Sequence, residues 1–341
     1  MRQRLSDTHT IWLLRAIGIV GLLVGVAATW IGPAEVRAFY LFLPGQRFGY
    51  EGYNWGTVMF ALIAAQVAGY YGIALLGLFL GWGHIRLRAW TRPIMRSLLW
   101  AWLVAGLPLM ALAYLLLILS KGTTPIGLLL SLPFALVAYP LAPWMLYRWY
   151  DSDAARRAFS QRGSAAAPLA SLPSCVGGTM VLLLLYGLVL HLPMMLNGLF
   201  PWFGTLLTDR SGLYAYGPLT LALVSILWSL CARRRWGWWL AMCGLAFWTV
   251  SSGLTFLRYS LAEMLDLMAL PATELGWFQA MPFLQQPVGL LACLPPVALM
   301  LILLLVRKRY VGWCDGGRGV DTEGKPCNAK SQPLNLADPH R

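Results

Sequence analysis

VGGTMVLLLLYGLVLHLPMMLNGLF, residues 176 to 200, runs for 25 residues without one charged side chain. At 1.5 Å per residue an α-helix of that length exceeds the roughly 30 Å hydrocarbon core of a bilayer, and in hydrocarbon only a helix or a closed barrel satisfies every backbone polar group. The stretch therefore reads as a transmembrane helix. Comparable runs occur near residues 11 to 31, 58 to 82, 95 to 119, 124 to 147, 214 to 232, 236 to 257 and 284 to 306. The expected fold class is therefore all-α, a polytopic transmembrane bundle of about eight spans. Composition agrees: 59% of the 341 residues are hydrophobic and 11% are charged, against about 25% charged in soluble domains.

The charges that remain orient the bundle. Of the 26 Lys and Arg residues, 21 fall on the N-terminus with Arg15, the 83 to 96 loop, the 148 to 175 loop, the 233 to 235 turn and the C-terminal tail. The opposite side holds five: Arg37, Arg47, Lys121, Arg210 and Arg258. Acidic residues divide seven to six, so the asymmetry belongs to the cations, as the positive-inside rule requires. Eight crossings then place both termini in the cytoplasm. A net charge of +13 spread over short loops does not make the single basic face that nucleic acid needs, so no nucleic-acid partner is expected. Arg2, Arg4 and Arg15 ahead of an apolar run ending at Val26, Ala27 and Ala28 also permit a cleaved signal peptide, which would remove the first span. Arg outnumbers Lys and no Asn-x-Ser/Thr sequon occurs, which fits a bacterial inner membrane. No pair of the six cysteines shares an external loop, so no disulfide framework is expected.

Two segments repeat. PIGLLLSLP (Pro125 to Pro133) and PVGLLACLP (Pro287 to Pro295) match at Pro, Gly, three Leu and Pro with an offset of 162. The flanking layout repeats too, with basic turns HIRLRAWTR (His84 to Arg92) and RRRWGWW (Arg233 to Trp239). Four spans per copy make the two halves parallel, related by an axis along the membrane normal. The predicted organisation is a first four-span repeat over 1–150, a cytoplasmic linker over 151–174, a second repeat over 175–310 and a disordered cytoplasmic tail over 311–341.

Candidate site residues are few. Pro133 and Pro295 are placed inside their helices, where a missing N–H frees backbone that can flex or bind a ligand in a pathway between the halves. His191 is the histidine at membrane depth, followed by Pro193 and Asn197. Its functional reading is a ligand or proton site; the alternative is a ring bonded to a neighbouring carbonyl. The seventh span is expected to continue outside as a helix to Pro271, putting Glu263 and Asp266 on one face as an acidic pair. Arg86, Arg88, Arg92, Arg233, Arg234 and Arg235, interleaved with tryptophans, are candidates for anionic lipid headgroups. Gly21 and Gly25, and Ala61, Ala65 and Gly69, form small-residue stripes where helices can approach closely. The aromatic loop from Gly32 to Gly56 is expected to lie on the membrane surface or to cap the bundle.

No span centre holds Asp, Glu, Lys or Arg, which argues against an ion-coupled pump. No cofactor or metal is expected; bis-histidine haem would need a second intramembrane histidine. Three classes remain: a non-catalytic accessory, assembly or immunity-type membrane protein with a membrane protein partner; a small-molecule transporter or exporter; and an enzyme acting on a lipid-linked substrate, for which no nucleophile, base or metal cluster is visible. The first asks for nothing the chain lacks.

Overall fold

The computed structural model describes residues 2–43, 45–49, 55–119, 125–160, 171–268, 270–279 and 288–316. Lys121, Pro287, the linker stretch 161–170 and the tail from 317 onward lie outside the described residues. Among those described, eight helices are long and apolar enough to cross a membrane.

The first two, α1 (Arg2–Phe42) and α2 (Val58–Ile85), pack side by side. Glycines set their spacing. A Cβ added at Gly81 would lie 2.7 Å from the Gly18 carbonyl oxygen, one at Gly77 2.8 Å from that of Gly21, and one at Gly25 2.7 Å from the Leu78 nitrogen. Backbones this close gain dispersion contact that larger side chains would prevent. The stripe of α1 is the one read from the sequence. On α2 the contacting glycines are Gly77 and Gly81, whereas Gly69 faces open space.

Helix α3 (Thr91–Leu119) joins the halves by packing on α7 (Ser174–Leu190). Gly177 and Gly178 admit Ser97 and Trp100 of α3, which a Cβ added at either position would overlap. Outside α3 run α4 (Pro125–Leu136), a π-helical turn Val137–Leu141 containing Pro140, and α5 (Ala142–Asp151). A short helix α6 (Asp153–Ser160) returns against α1 and α5. The second half continues with α8 (Asp209–Cys231), α9 (Arg235–Phe256), α10 (Leu261–Leu267), α11 (Ala272–Gln279) and α12 (Leu294–Gly316). The main core lies among α3, α7, α8, α9 and α12, with Val176, Leu183, Leu230, Ala241 and Leu303 buried together.

The described chain is mainly helical as expected, with one local addition and three corrections. After α7, a 3-10 turn Leu192–Met195 leads into an antiparallel hairpin, β1 (Phe200–Trp202) with β2 (Thr205–Leu207). Phe203 and Gly204 between the strands have φ of 42° and 86°, the paired left-handed conformations of a two-residue type I′ turn. The segment after the first span, expected as a loop, is in part helix: α1 continues through Pro33 to Phe42 with Gly32 seated on the Tyr71 ring. The seventh span does not continue through 258–260: α9 stops at Phe256 and α10 starts anew, since Ser260 caps it. The tail does not begin at 311. Helix α12 holds to Gly316 because burial at Val306, Tyr310, Trp313 and Cys314 keeps helical spacing beyond the basic Arg307–Arg309 segment.

Candidate functional site

The two prolines singled out by the repeat do not share an environment. Pro133 lies within α4 with its side chain exposed, just before the π-helical turn. Pro295 is not inside its helix: it is the second residue of α12, preceded by a 3-10 turn Val288–Cys293, and it too is exposed. At a helix start the missing N–H has no intrahelical partner to lose, so Pro295 terminates nothing and kinks nothing. The adjacent Pro296 is the one packed inside.

The end of the bundle that carries the hairpin is organised by α9. Ser251, Thr255 and Arg258 recur at helical spacing on one face of the chain leaving that helix. The Ser251 hydroxyl donates to the Pro201 carbonyl at 3.0 Å and accepts the Phe203 N–H at 3.1 Å. The Gly204 N–H donates to Thr255 Oγ1 at 3.0 Å, and Arg258 Nη1 donates to the Gly204 carbonyl at 3.3 Å. The I′ turn is thus seated on side chains that satisfy backbone groups the two short strands leave unpaired.

His191 follows α7 directly. Its Nδ1 donates to the Gly187 carbonyl at 2.6 Å, and Nε2 lies 2.8 Å from Thr220 Oγ1 on α8. A carbonyl can only accept, so the Nδ1 proton is fixed and the ring ties the end of α7 to α8. Asn197 takes a left-handed φ of 57°, and its Nδ2 donates to the Leu267 carbonyl at the end of α10. His191 and Asn197 do not converge on one pocket with the acids. Glu263 accepts from the Ser260 N–H at 2.7 Å and the Ser260 hydroxyl at 2.9 Å, completing a capping box. Those bonds, the backbone one first, hold the Glu263 carboxyl below the usual carboxylate range. Asp266 lies with it on the exposed face of α10, opposite the buried Met264, Leu265 and Met268.

The acid that does bind within the fold is Glu274, 2% exposed. Its two oxygens accept the Val58 and Met59 N–H groups at 3.0 and 3.1 Å, at the start of α2. Thr57 as N-cap takes the Phe60 N–H, so the orphan donors of that terminus are shared between a local hydroxyl and a distant carboxylate. Thr57 ahead of an apolar run marks the helix start in the sequence; no local pattern points to Glu274.

The arginines of the basic turns divide into bound and exposed. Arg92 Nε donates to the Tyr150 carbonyl at 2.8 Å, and its guanidinium pairs with Asp151 at 3.4 Å; Arg96 reaches the same carboxylate at 3.0 Å. Beneath them His84, fully inside, donates from Nδ1 to the Leu80 carbonyl at 2.7 Å and meets the Tyr150 hydroxyl at 2.6 Å. Arg235 pairs with Asp315, and Arg233 lies 4.5 Å from the Trp313 ring centroid while donating to Ser171. Arg86, Arg88 and Arg234 are exposed, Arg88 over the Trp82 ring.

A cavity of about 270 Å³ lies between α7, α8 and α9, with Phe200 and Trp202 of the hairpin at its rim. Leu183, Pro218, Leu223, Gly244 and Trp248 line it, a surface that favours hydrocarbon over polar solutes. Neither Pro133 nor Pro295 borders it. No protein-family model, curated protein or solved structure matches the chain.

Proposed function

We propose that this chain is a non-catalytic integral membrane protein of the bacterial inner membrane, with both termini cytoplasmic, acting as an accessory, assembly or immunity-type subunit bound to another membrane protein. The observation that carries the reading is what its polar candidates are used for. His191, Asn197, Glu263 and Arg92 each bond a backbone group of this chain, so their hydrogen-bonding capacity goes into holding its own loops and helix ends. Orientation rests on the 21 to 5 division of cations, and the two tandem parallel repeats on the 162-residue offset of the Pro-marked segments. Exposed basic residues such as Arg86, Arg88 and Arg234 sit where anionic headgroups of the cytoplasmic leaflet would meet them.

The test is extraction from native membranes in a mild detergent after brief cross-linking, followed by mass measurement of the complex. The expected result is one partner polypeptide recovered at fixed stoichiometry. Recovery as a lone monodisperse monomer, with no cross-linked species, overturns the reading.

A further inference from the structure

We infer that a groove between the cytoplasmic ends of α1 and α2 holds the phosphodiester of an anionic phospholipid between Arg15 and Arg86, with an acyl chain laid along Ile19. The inference needs the membrane placement proposed above and is independent of the accessory role. The groove encloses about 440 Å³ and is lined by Trp12, Arg15, Ala16, Ile19, Ile85 and Arg86.

Its shape follows from the helix pair. Close packing at Gly18 and Gly81 pins α1 to α2, and α2 then ends at Ile85 with Arg86 as its C-cap. The chain next turns inward through Leu87, fully buried at a φ of 50°, so α1 continues past the end of α2, with α6 packed on its other side. The two arginines are left facing one recess with apolar walls.

Their charge sets this recess apart from the basic clusters that hold an acid. Arg92, Arg96 and Arg156 share Asp151, and Arg235 has Asp315. Arg15 and Arg86 form no ion pair among the described residues, and the shielded Arg15 Nε has no hydrogen-bond partner among them. A buried guanidinium N–H without an acceptor is costly, and two like charges in one recess repel. A phosphodiester relieves both, since its oxygens accept from two guanidinium forks at once. Inorganic phosphate would answer the charges alone. The apolar walls point to a ligand with a hydrocarbon part, because Ile19, 52% exposed, continues the recess along α1. Trp12, 66% exposed at the mouth, is the residue type that favours the headgroup layer.

The test is a lipid titration of the purified full-length chain, read by native mass spectrometry. The probes are dioleoylphosphatidylglycerol, dioleoylphosphatidylcholine, and glycerophosphoglycerol as a headgroup without tails. The first phosphatidylglycerol should bind at least tenfold more tightly than phosphatidylcholine. The Arg15→Gln/Arg86→Gln double variant should lose that preference, and Ile19→Gln should weaken it with both charges intact. Arg210→Gln, which removes an exposed cation at the opposite end of the bundle, should leave it unchanged, and the headgroup alone should not compete. Circular dichroism establishes that each variant remains helical; if the double variant does not fold, Ile19→Gln decides. Wild-type affinity in both recess variants, equal binding of phosphatidylcholine, equal loss in Arg210→Gln, or full competition by the headgroup overturns the assignment. Failure of the membrane placement would register separately, as release of the chain from native membranes by alkaline carbonate.

Discussion

The Glu274 carboxylate accepts the Val58 N–H at 3.0 Å across 216 residues of chain, so a side chain of the second half finishes the start of a helix in the first. Burial raises the stakes, because removing the carboxylate leaves the Val58 and Met59 N–H groups without acceptors. Hydrogen bonds to a charged group contribute about 1.5 to 3 kcal/mol, and stranding the donors costs a comparable amount. Glu274→Ala is expected to lower stability by roughly 2 to 4 kcal/mol. Glu274→Gln, which keeps one acceptor oxygen, should cost about half as much. Thermal unfolding in detergent, followed by circular dichroism, measures both; equal stability of Glu274→Ala and wild type would contradict the cap.

Packing of α1 on α2 makes a prediction with its control on the same helix. At Gly81 an added Cβ would lie 2.7 Å from the Gly18 carbonyl and from the Leu22 nitrogen, both on the facing helix. Backbone cannot yield as a flexible side chain can, so Gly81→Ala should destabilise the pair by about 1 to 3 kcal/mol despite alanine's better helix propensity. Gly69→Ala meets nothing within 4 Å and should leave the unfolding midpoint unchanged or slightly raised. The comparison of the two unfolding midpoints is the measurement, and equal shifts would show that the glycine contact does not set the helix spacing.

The apolar spans were legible because each is encoded locally, as an apolar run with almost no charge. The glycine stripe of α1 was legible for the same reason: Gly21 and Gly25 fall at spacing four. Its partner on α2 was not, because Ala61, Ala65 and Gly69 offer the same spacing, and only the tertiary pairing selects Gly77 and Gly81. Glu274 was invisible since its bond is to backbone, which carries no residue identity to match. The hairpin was hidden for a related reason. Phe203 is a poor sequence signal for a left-handed turn, and its conformation depends on Ser251 holding its N–H. The capping box at Ser260 was written plainly as Ser-x-x-Glu, but an apolar continuation favoured one long helix over two.

That capping box carries a pH dependence whose sign is fixed. The Ser260 backbone and hydroxyl hold the Glu263 carboxyl below the usual carboxylate range, so the folded helix binds its proton more weakly than the unfolded chain does. The contribution is present above the unfolded carboxylate value, about 4.3, and is lost as pH falls through the lower folded value. Amide exchange at the first turn of α10, corrected for intrinsic rates, should therefore show protection declining as the medium is acidified below about pH 4. Glu263→Gln should remove this pH dependence. A profile identical in wild type and variant would mean that Glu263 is not what titrates.

Ser251 and Thr255 bind successive N–H groups of one turn, so their effects should not add. Ser251→Ala strands the Phe203 N–H and the Pro201 carbonyl, and Thr255→Val, nearly isosteric, strands the Gly204 N–H. Both side chains are at most 1% exposed, so water cannot readily replace the lost bonds. Each change should cost about 1 to 3 kcal/mol, the price of an unsatisfied buried group. Once one bond is gone the turn lifts and the second is already weakened, so the double variant should cost less than the sum by about 0.5 kcal/mol or more. Trp202 on β1 supplies a local readout, since lifting the turn moves its ring away from Phe247, now 6.0 Å distant between centroids. A tryptophan emission shift in either single variant, together with the shortfall in the double, would establish the turn and α9 as one cooperative unit. Strict additivity with unchanged emission would show instead that each hydroxyl acts alone.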